Sequence, residues 1–316
     1  MAIRRNGLWG VLAVVAGALW LGLTLGVFPP GLADVIVRGG LPAVLIAVGL
    51  GALLRGRLPF SGAIALVLTG AVVVNVALVA YSSRAGEART DQRVPVNVPL
   101  DADVTLVTID LGTLATDVQI TLDETVGRAV VGEFVGSTES LLTADVQAAG
   151  ALATLTLREV QPNAIQRLEA VGRGVLTLRV PAGVGLDLAL QAAQGTVVLN
   201  LDGAQLERLN LDLLRGDAIV TLPSYQPQSA SQADAPANGT LIVRDGGITI
   251  SVPDDVGARF ELDRAGSALL PQYDERVYNY LVGDVLESRD YDAEAVKLRY
   301  AVIAPRGQIR ITETVR

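Results

Sequence analysis

GDAIVTLP (216–223) opens on glycine and closes on proline seven residues later, and two further stretches share that build: GVLTLRVP (174–181) and GGITISVP (246–253). Counted from the glycine, the third, fifth and seventh positions are apolar in every copy: Leu176, Leu178 and Val180; Ala218, Val220 and Leu222; Ile248, Ile250 and Val252. The fourth and sixth positions are polar except at Ile219 (Thr177, Arg179, Thr221, Thr249 and Ser251). Alternate residues of an extended chain point to opposite faces, so each copy predicts a strand with one face in a core and the other in water. Glycine supplies the turn into the strand, and proline ends it where no ladder N–H is needed. A fourth stretch, GQIRITET (307–314), keeps Ile309 and Ile311 and then loses the pattern, as expected of a terminal repeat with no further neighbour to stack on.

Around these copies lie runs of the same period: VTLVTIDLGTLATDVQITL (104–122), GALATLTLRE (150–159), LDLALQAAQGTVVLNLDG (186–203), ARFELDRAGSALL (258–270) and VKLRYAVIAPRGQIRIT (296–312). Period two broken by Gly, Asp and Pro is the pattern of half-buried strands, so residues 95–316 are expected to be almost entirely β. Successive closing prolines, Pro181, Pro223 and Pro253, are irregularly spaced, and the strand–turn rhythm between them suits a stack of β-coils, solenoid-like, better than a barrel closed by tight hairpins. SYQPQSASQADAPANG (224–239) interrupts the rhythm and is expected to be a flexible surface insertion.

The first eighty residues read differently. Apolar runs at 8–28, 35–54 and 58–81 are each long enough, at 1.5 Å per residue, to cross a hydrocarbon layer of about 30 Å, although Arg38 lies near the start of the second. Arg4 and Arg5 before the first run, with Arg55 and Arg57 between the second and third, place both segments on the cytoplasmic side, so the chain after the third run is expected outside. Gly22, Gly26 and Asn75 are the residues at which such helices could associate with each other or with a second copy. Residues 82–94 read as a linker. The expected fold class is thus an N-terminal α-helical membrane module of three spans followed by an all-β domain of stacked coils, with the lipid bilayer as one partner and the cell membrane as the location.

Charge divides along the same line. Residues 1–90 carry seven Arg against Asp34 and Glu87, a net of +5, which leaves 18 basic and 31 acidic side chains, a net of −13, on residues 91–316. A surface that acidic repels phosphate backbones, so nucleic acid is not an expected partner.

The C-terminal region resembles the "toast-rack" β-domains that follow small membrane modules in LiaF-like cell-envelope stress proteins of bacteria. The resemblance rests on the recurring glycines before strands, on VPAGVGLDLAL (180–190) and VPDDVGARFEL (252–262), and on LDGAQLERLNLDLLRGDAIVTLP (201–223). A tyrosine-bearing segment, YNYLVGDVLESRDYDAEAVKLRY (278–300), adds to it. It covers about residues 95–316 and implies envelope-stress sensing or signalling through contacts with another envelope or signalling protein, with no catalytic residues to carry over.

The residues themselves offer little chemistry. The chain has no His and no Cys, which removes the usual general base, thiol nucleophile and zinc ligands, and Lys297, in an alternating strand run, is the only lysine for a Ser–Lys dyad. No enzyme and no cofactor are expected. Asp202, Asp212 and Asp217 lie near turns and could converge on Ca²⁺, but they lack the dense spacing of a calcium loop and read as turn and wet-face residues. Tyr273, Tyr278, Tyr280 and Tyr291 form the one aromatic concentration outside the first eighty residues: a contact surface for protein or glycan, or a cap on the open end of the β-structure. Two function classes follow: a non-enzymatic membrane-anchored protein working through protein contacts in envelope stress, or a structural or adhesive ectodomain that binds cell-wall polymer or Ca²⁺.

Overall fold

The computed structural model describes residues 84, 86–162, 172–228, 238–263 and 269–314. Contacts divide the chain into Met1–Glu87 with Asn163–Gly172, almost wholly outside the described residues, and Ala88–Pro162 with Arg173–Arg316. The second unit is the β body that follows. The expected spans at 8–28, 35–54 and 58–81 lie outside the described residues.

β2 (Leu106–Asp123) organises this unit. At 18 residues it is long enough to serve two ladders, because its first half pairs in parallel with β5 (Leu152–Val160) and β7 (Gly185–Gln194). Its second half pairs in parallel with β6 (Gly174–Pro181) and β8 (Val197–Asn200). The same bent path is taken by β7 running into β8, by β9 (Gln205–Arg215) into β10 (Ala218–Thr221), by β11 (Gly239–Val243) into β12 (Ile248–Pro253) and by β16 (Val296–Ile303) into β17 (Ile309–Thr314). One arm therefore reads β5–β2–β7–β9–β11–β16–β13, with β13 at Val256–Asp263, and the other reads β6–β2–β8–β10–β12–β17, all parallel. Antiparallel strands finish the margins: β4 (Leu141–Ala149) on β5, β3 (Ala129–Gly136) on β6, and β1 (Gln92–Pro99) on β3. At the other margin β15 (Val285–Ser288) adds to β13, and β14 (Tyr278–Leu281) adds to β15.

The alternation seen in the sequence becomes columns of core side chains. Leu178, Ile120, Leu199, Val220, Ile250 and Ile311 lie in register across one arm and are all buried. Leu157, Leu111, Leu190, Leu211, Leu241 and Val302 do the same across the other. Full burial of each such side chain contributes about 1.5–3 kcal/mol, so the columns hold the two arms together over one core. The outer face carries cross-strand ion pairs such as Arg244–Asp212 at 2.9 Å and Arg259–Glu287 at 2.9 Å, exposed enough for solvent to screen them, so they add little to stability.

These observations correct the expected fold class. Instead of a helical membrane module followed by stacked β-coils, the described residues form one curled sheet of 17 strands, and none of their helices is long and apolar enough to cross a membrane. The physical reason lies at the octet glycines. They are expected as turns that begin separate strands, but Gly216 and Gly246 are corners inside a continuous bent path, with hairpin-type antiparallel pairs at both margins. Two neighbouring octets do meet in register, Ala218 opposite Ile248, and GQIRITET lies next to them with Ile309 opposite Ile248. GVLTLRVP is separated from them by β2 and β8. The last copy does end its arm: β17 has a strand partner only in β12, and its other side is met by Gln272 alone, which donates its N–H to the Ile309 carbonyl and accepts from the Ile311 N–H, both at 2.8 Å. Regular structure also starts inside the expected linker, since β1 begins at Gln92.

The corners explain why glycine recurs. A Cβ on Gly216 would lie 1.8 Å from the Gly195 carbonyl oxygen, one on Gly246 1.8 Å from that of Gly216, and one on Gly307 1.6 Å from that of Gly246. Neighbouring corners touch backbone to backbone, which only glycine permits. β2 has no glycine at its corner. There the buried carboxylate of Glu159 accepts hydrogen bonds from the Leu114 and Ala115 N–H groups (2.6 and 3.2 Å), the Thr116 hydroxyl (2.8 Å) and the Ser140 hydroxyl (2.6 Å).

Candidate functional site

The fold sets the four tyrosines in different surroundings. Tyr278, on β14 opposite Ser288, is buried with its hydroxyl pushed well above the usual phenol range by burial and then by the Glu313 charge. It closes the core beside Leu286, as a cap does. Tyr273 packs against the same core and stacks on Tyr280, ring centroids 6.2 Å apart and planes 10° from parallel. Tyr280 faces outward and donates its hydroxyl to Asp284. Tyr291 is apart from these, under the Lys297 ammonium at 5.5 Å, and its hydroxyl is raised by burial. Lys297 also donates to the Asp292 carbonyl at 3.2 Å, an outer-face arrangement with no serine in it.

The turn between β14 and β15 is held open to solvent. Gly283 and Asp284 both take positive φ, 90° and 58°, and the Asp284 carbonyl accepts from the Leu262 N–H of β13 at 2.8 Å. This pinned turn presents Tyr280 (38% exposed), Leu281 (39%) and Val282 (102%) together. Three large apolar side chains on a rigid tip form a surface that water does not favour.

A concave feature, by contrast, escaped the reading of the sequence. At the starting ends of β5, β2, β7 and β9 lies an open cleft of about 650 Å³ whose wall includes Asp187, Glu207, Arg208 and Tyr225. Its geometry comes from a β-bulge: Leu186 faces Leu206 but Asp187 faces Arg208, so Glu207 is the extra residue. The freed carboxylate of Glu207 accepts from the Tyr225 hydroxyl at 2.6 Å and the Gln228 N–H at 2.9 Å. Burial, followed by the bond to Glu207, pushes the Tyr225 hydroxyl up to about 12. Burial also raises the Asp187 carboxyl, against the pull of Arg208 and with the push of Glu207. The available signal was the three-residue step from Leu206 to Leu209, which breaks period two. The start of the expected flexible insertion is likewise tied down by Tyr225, Gln228 and a 2.6 Å bond from Ser224 to Asp255.

The three aspartates weighed for calcium do not converge. Asp212 holds Arg244, and Asp217 accepts the Gly247 N–H at 2.8 Å within the corner, whereas Asp202 lies in an exposed turn. Among the described residues no three acidic side chains gather to hold a metal ion.

No family model and no curated protein matches the chain. Its fold is similar to a solved structure described as "a putative cell adhesion protein" from Clostridium sporogenes, with a TM-score of 0.56 at 12% identity, over 71% of this chain and 100% of that one. A "putative adhesin" from Bacteroides fragilis aligns with 72% of this chain and all of its own at 10% identity, but a TM-score of 0.23 is too low to bear on the fold. At such identities the likeness is one of β architecture.

Proposed function

We propose that the protein is a non-enzymatic adhesive domain displayed at the cell surface, the second of the two function classes expected from the sequence. The observation that supports it is the pinned β14–β15 tip, where Tyr280, Leu281 and Val282 are presented to solvent on a backbone fixed by strand pairing and by the Leu262–Asp284 hydrogen bond. Exposed aromatic and aliphatic anchors on a rigid support are how binding surfaces concentrate affinity, because little conformational entropy is lost on contact. The fold shared with the Clostridium sporogenes protein agrees with this reading and does not carry it. Envelope-stress signalling has no comparable observation in its favour.

The test uses beads coated with the full-length chain and incubated with bacterial cells. Wild-type beads are expected to retain cells well above uncoated beads, and Tyr280→Ala with Val282→Ser to reduce retention about tenfold, the equivalent of about 1.4 kcal/mol. Retention equal to that of blank beads, or unchanged by the double substitution, overturns the proposal.

A further inference from the structure

We propose that the cleft at the starting ends of β5, β2, β7 and β9 binds a strand of neutral polysaccharide. This inference rests on the adhesive reading and gives it a ligand class and a second site. The cleft's volume of about 650 Å³ falls in the range of small-molecule sites, about 300–1,000 Å³, enough for a few sugar rings.

Charge argues for a neutral ligand. The charged residues that line the cleft are two guanidinium groups, Arg128 and Arg208, and two carboxylates, Asp187 and Glu207, so a cleft on a strongly acidic domain carries no net charge of its own. An anionic polymer would meet both carboxylates, and a cation both guanidiniums.

The cleft's polar groups fall into two sets. Glu207 and Arg128 are committed: the first to Tyr225 and Gln228, the second to the carbonyls of Asp101 and Val104 (3.2 and 2.5 Å). They fix the wall. Asp187 is partly buried, with Arg208 attracting its carboxylate, and the side chains of Asp187, Gln205 and Arg208, all of which line the cleft, make no hydrogen bond to another described residue. A carboxylate that accepts, a guanidinium that donates and an amide that does both are the partners a ring of hydroxyls needs, since each hydroxyl both donates and accepts. Beside them Leu152, 51% exposed, and Leu106 supply an aliphatic surface for the C–H face of a sugar ring. The bulge at Glu207 is the kind of local irregularity by which a strand re-aims side chains at a binding site.

The test is isothermal titration of the full-length protein with cellohexaose, chitohexaose and maltohexaose, and with hexagalacturonate as the acidic comparison. At least one neutral hexasaccharide is expected to bind with a Kd of roughly 10 µM to 1 mM, and more tightly than the acidic one. Asp187→Asn is expected to weaken binding at least about tenfold, and Gln205→Ala, at an exposed side chain, several-fold without altering the melting temperature. Binding of none of the neutral sugars, preference for hexagalacturonate, or unchanged affinity in both variants overturns the inference. Cell retention on beads separates the two proposals. Retention without hexasaccharide binding sinks only the cleft, whereas hexasaccharide binding without retention supports the cleft and sinks the adhesive reading.

Discussion

A single methyl group tests the corner column. Gly216→Ala places a Cβ 1.8 Å from the Gly195 carbonyl oxygen at a φ of 130°, so the corner must open; the expected loss is about 4 kcal/mol in urea unfolding. Gly183→Ala meets nothing within 4 Å at a φ of 76° and is expected to cost only about 1 kcal/mol. Comparable losses at the two sites would remove close approach as the reason for glycine at the corners. Glu159→Ala leaves the donors of Leu114, Ala115, Thr116 and Ser140 without their acceptor, for an expected loss of about 3 kcal/mol by the same measurement. Two titrations are expected to depart from ordinary values. The Asp274 carboxyl sits at about 2 because the Arg276 side chain and N–H both donate to it. Its folded value lies below its unfolded one, so its contribution to stability is present above the ordinary value of 3.8 and is lost as pH falls through about 2. In a carboxyl-carbon NMR titration, Arg276→Gln is expected to return the midpoint toward 3.8. Tyr225 is the opposite case. Its folded value of about 12 exceeds the ordinary 10.0, so its contribution is full below 10 and is lost as pH rises through 12. Glu207→Gln is expected to bring the phenolate absorbance transition to lower pH.

At the scale of elements, the margins of the sheet differ in how they protect themselves. β1 carries Pro95 and Pro99, and β14 has only four residues, whereas β4 runs for nine, LLTADVQAA, with no proline and no basic side chain. Its Ala144, Val146 and Ala148 lie in register with buried Leu157, Leu155 and Ala153, yet remain exposed. β4 is therefore the edge with least to hold it. Its amides are expected to exchange with solvent at least about 100-fold faster than those of β2 and β7, read by hydrogen exchange with mass spectrometry. Equal protection would mean that β4 is covered. Period two made the strands at all three octets legible, because the residues that alternate are those that the columns bury, Val220 and Ile250 among them. Glycine was legible as a residue with a task at the head of each octet, but not as a corner: that role depends on the neighbouring carbonyl, which the local sequence does not contain. The site was less legible still. Tyr278 and Tyr280 are two residues apart and were read together, yet one closes the core and the other faces solvent, and Glu207 acquires its place in the cleft only through a register with β7.

For the whole molecule the decisive feature is the order in which strands become neighbours. β13 precedes β16 in the chain, yet β16 separates it from β11, while β17 lies against β12 on one side and Gln272 on the other. Among the described strands, β13, β14 and β15 thus pair with the body only through β16. A sequence read from its first residue cannot show this, since alternation specifies which face of a strand is buried and not which strand lies beside it. The consequence can be tested by truncation after residue 295. Removing β16 and β17 would uncover Leu241 on β11 and Ile248 and Ile250 on β12, and would leave Phe260 and Leu262 of β13 without the strand that links them to the core. The truncated chain is expected to keep protease resistance from β2 through β10, whose pairings are complete without the lost strands, and to be cut between β11 and β14. Full resistance of the β13–β15 block would show that it folds as an independent unit. Cleavage throughout would show that the columns are cooperative from one margin to the other, with the last strands required for the first.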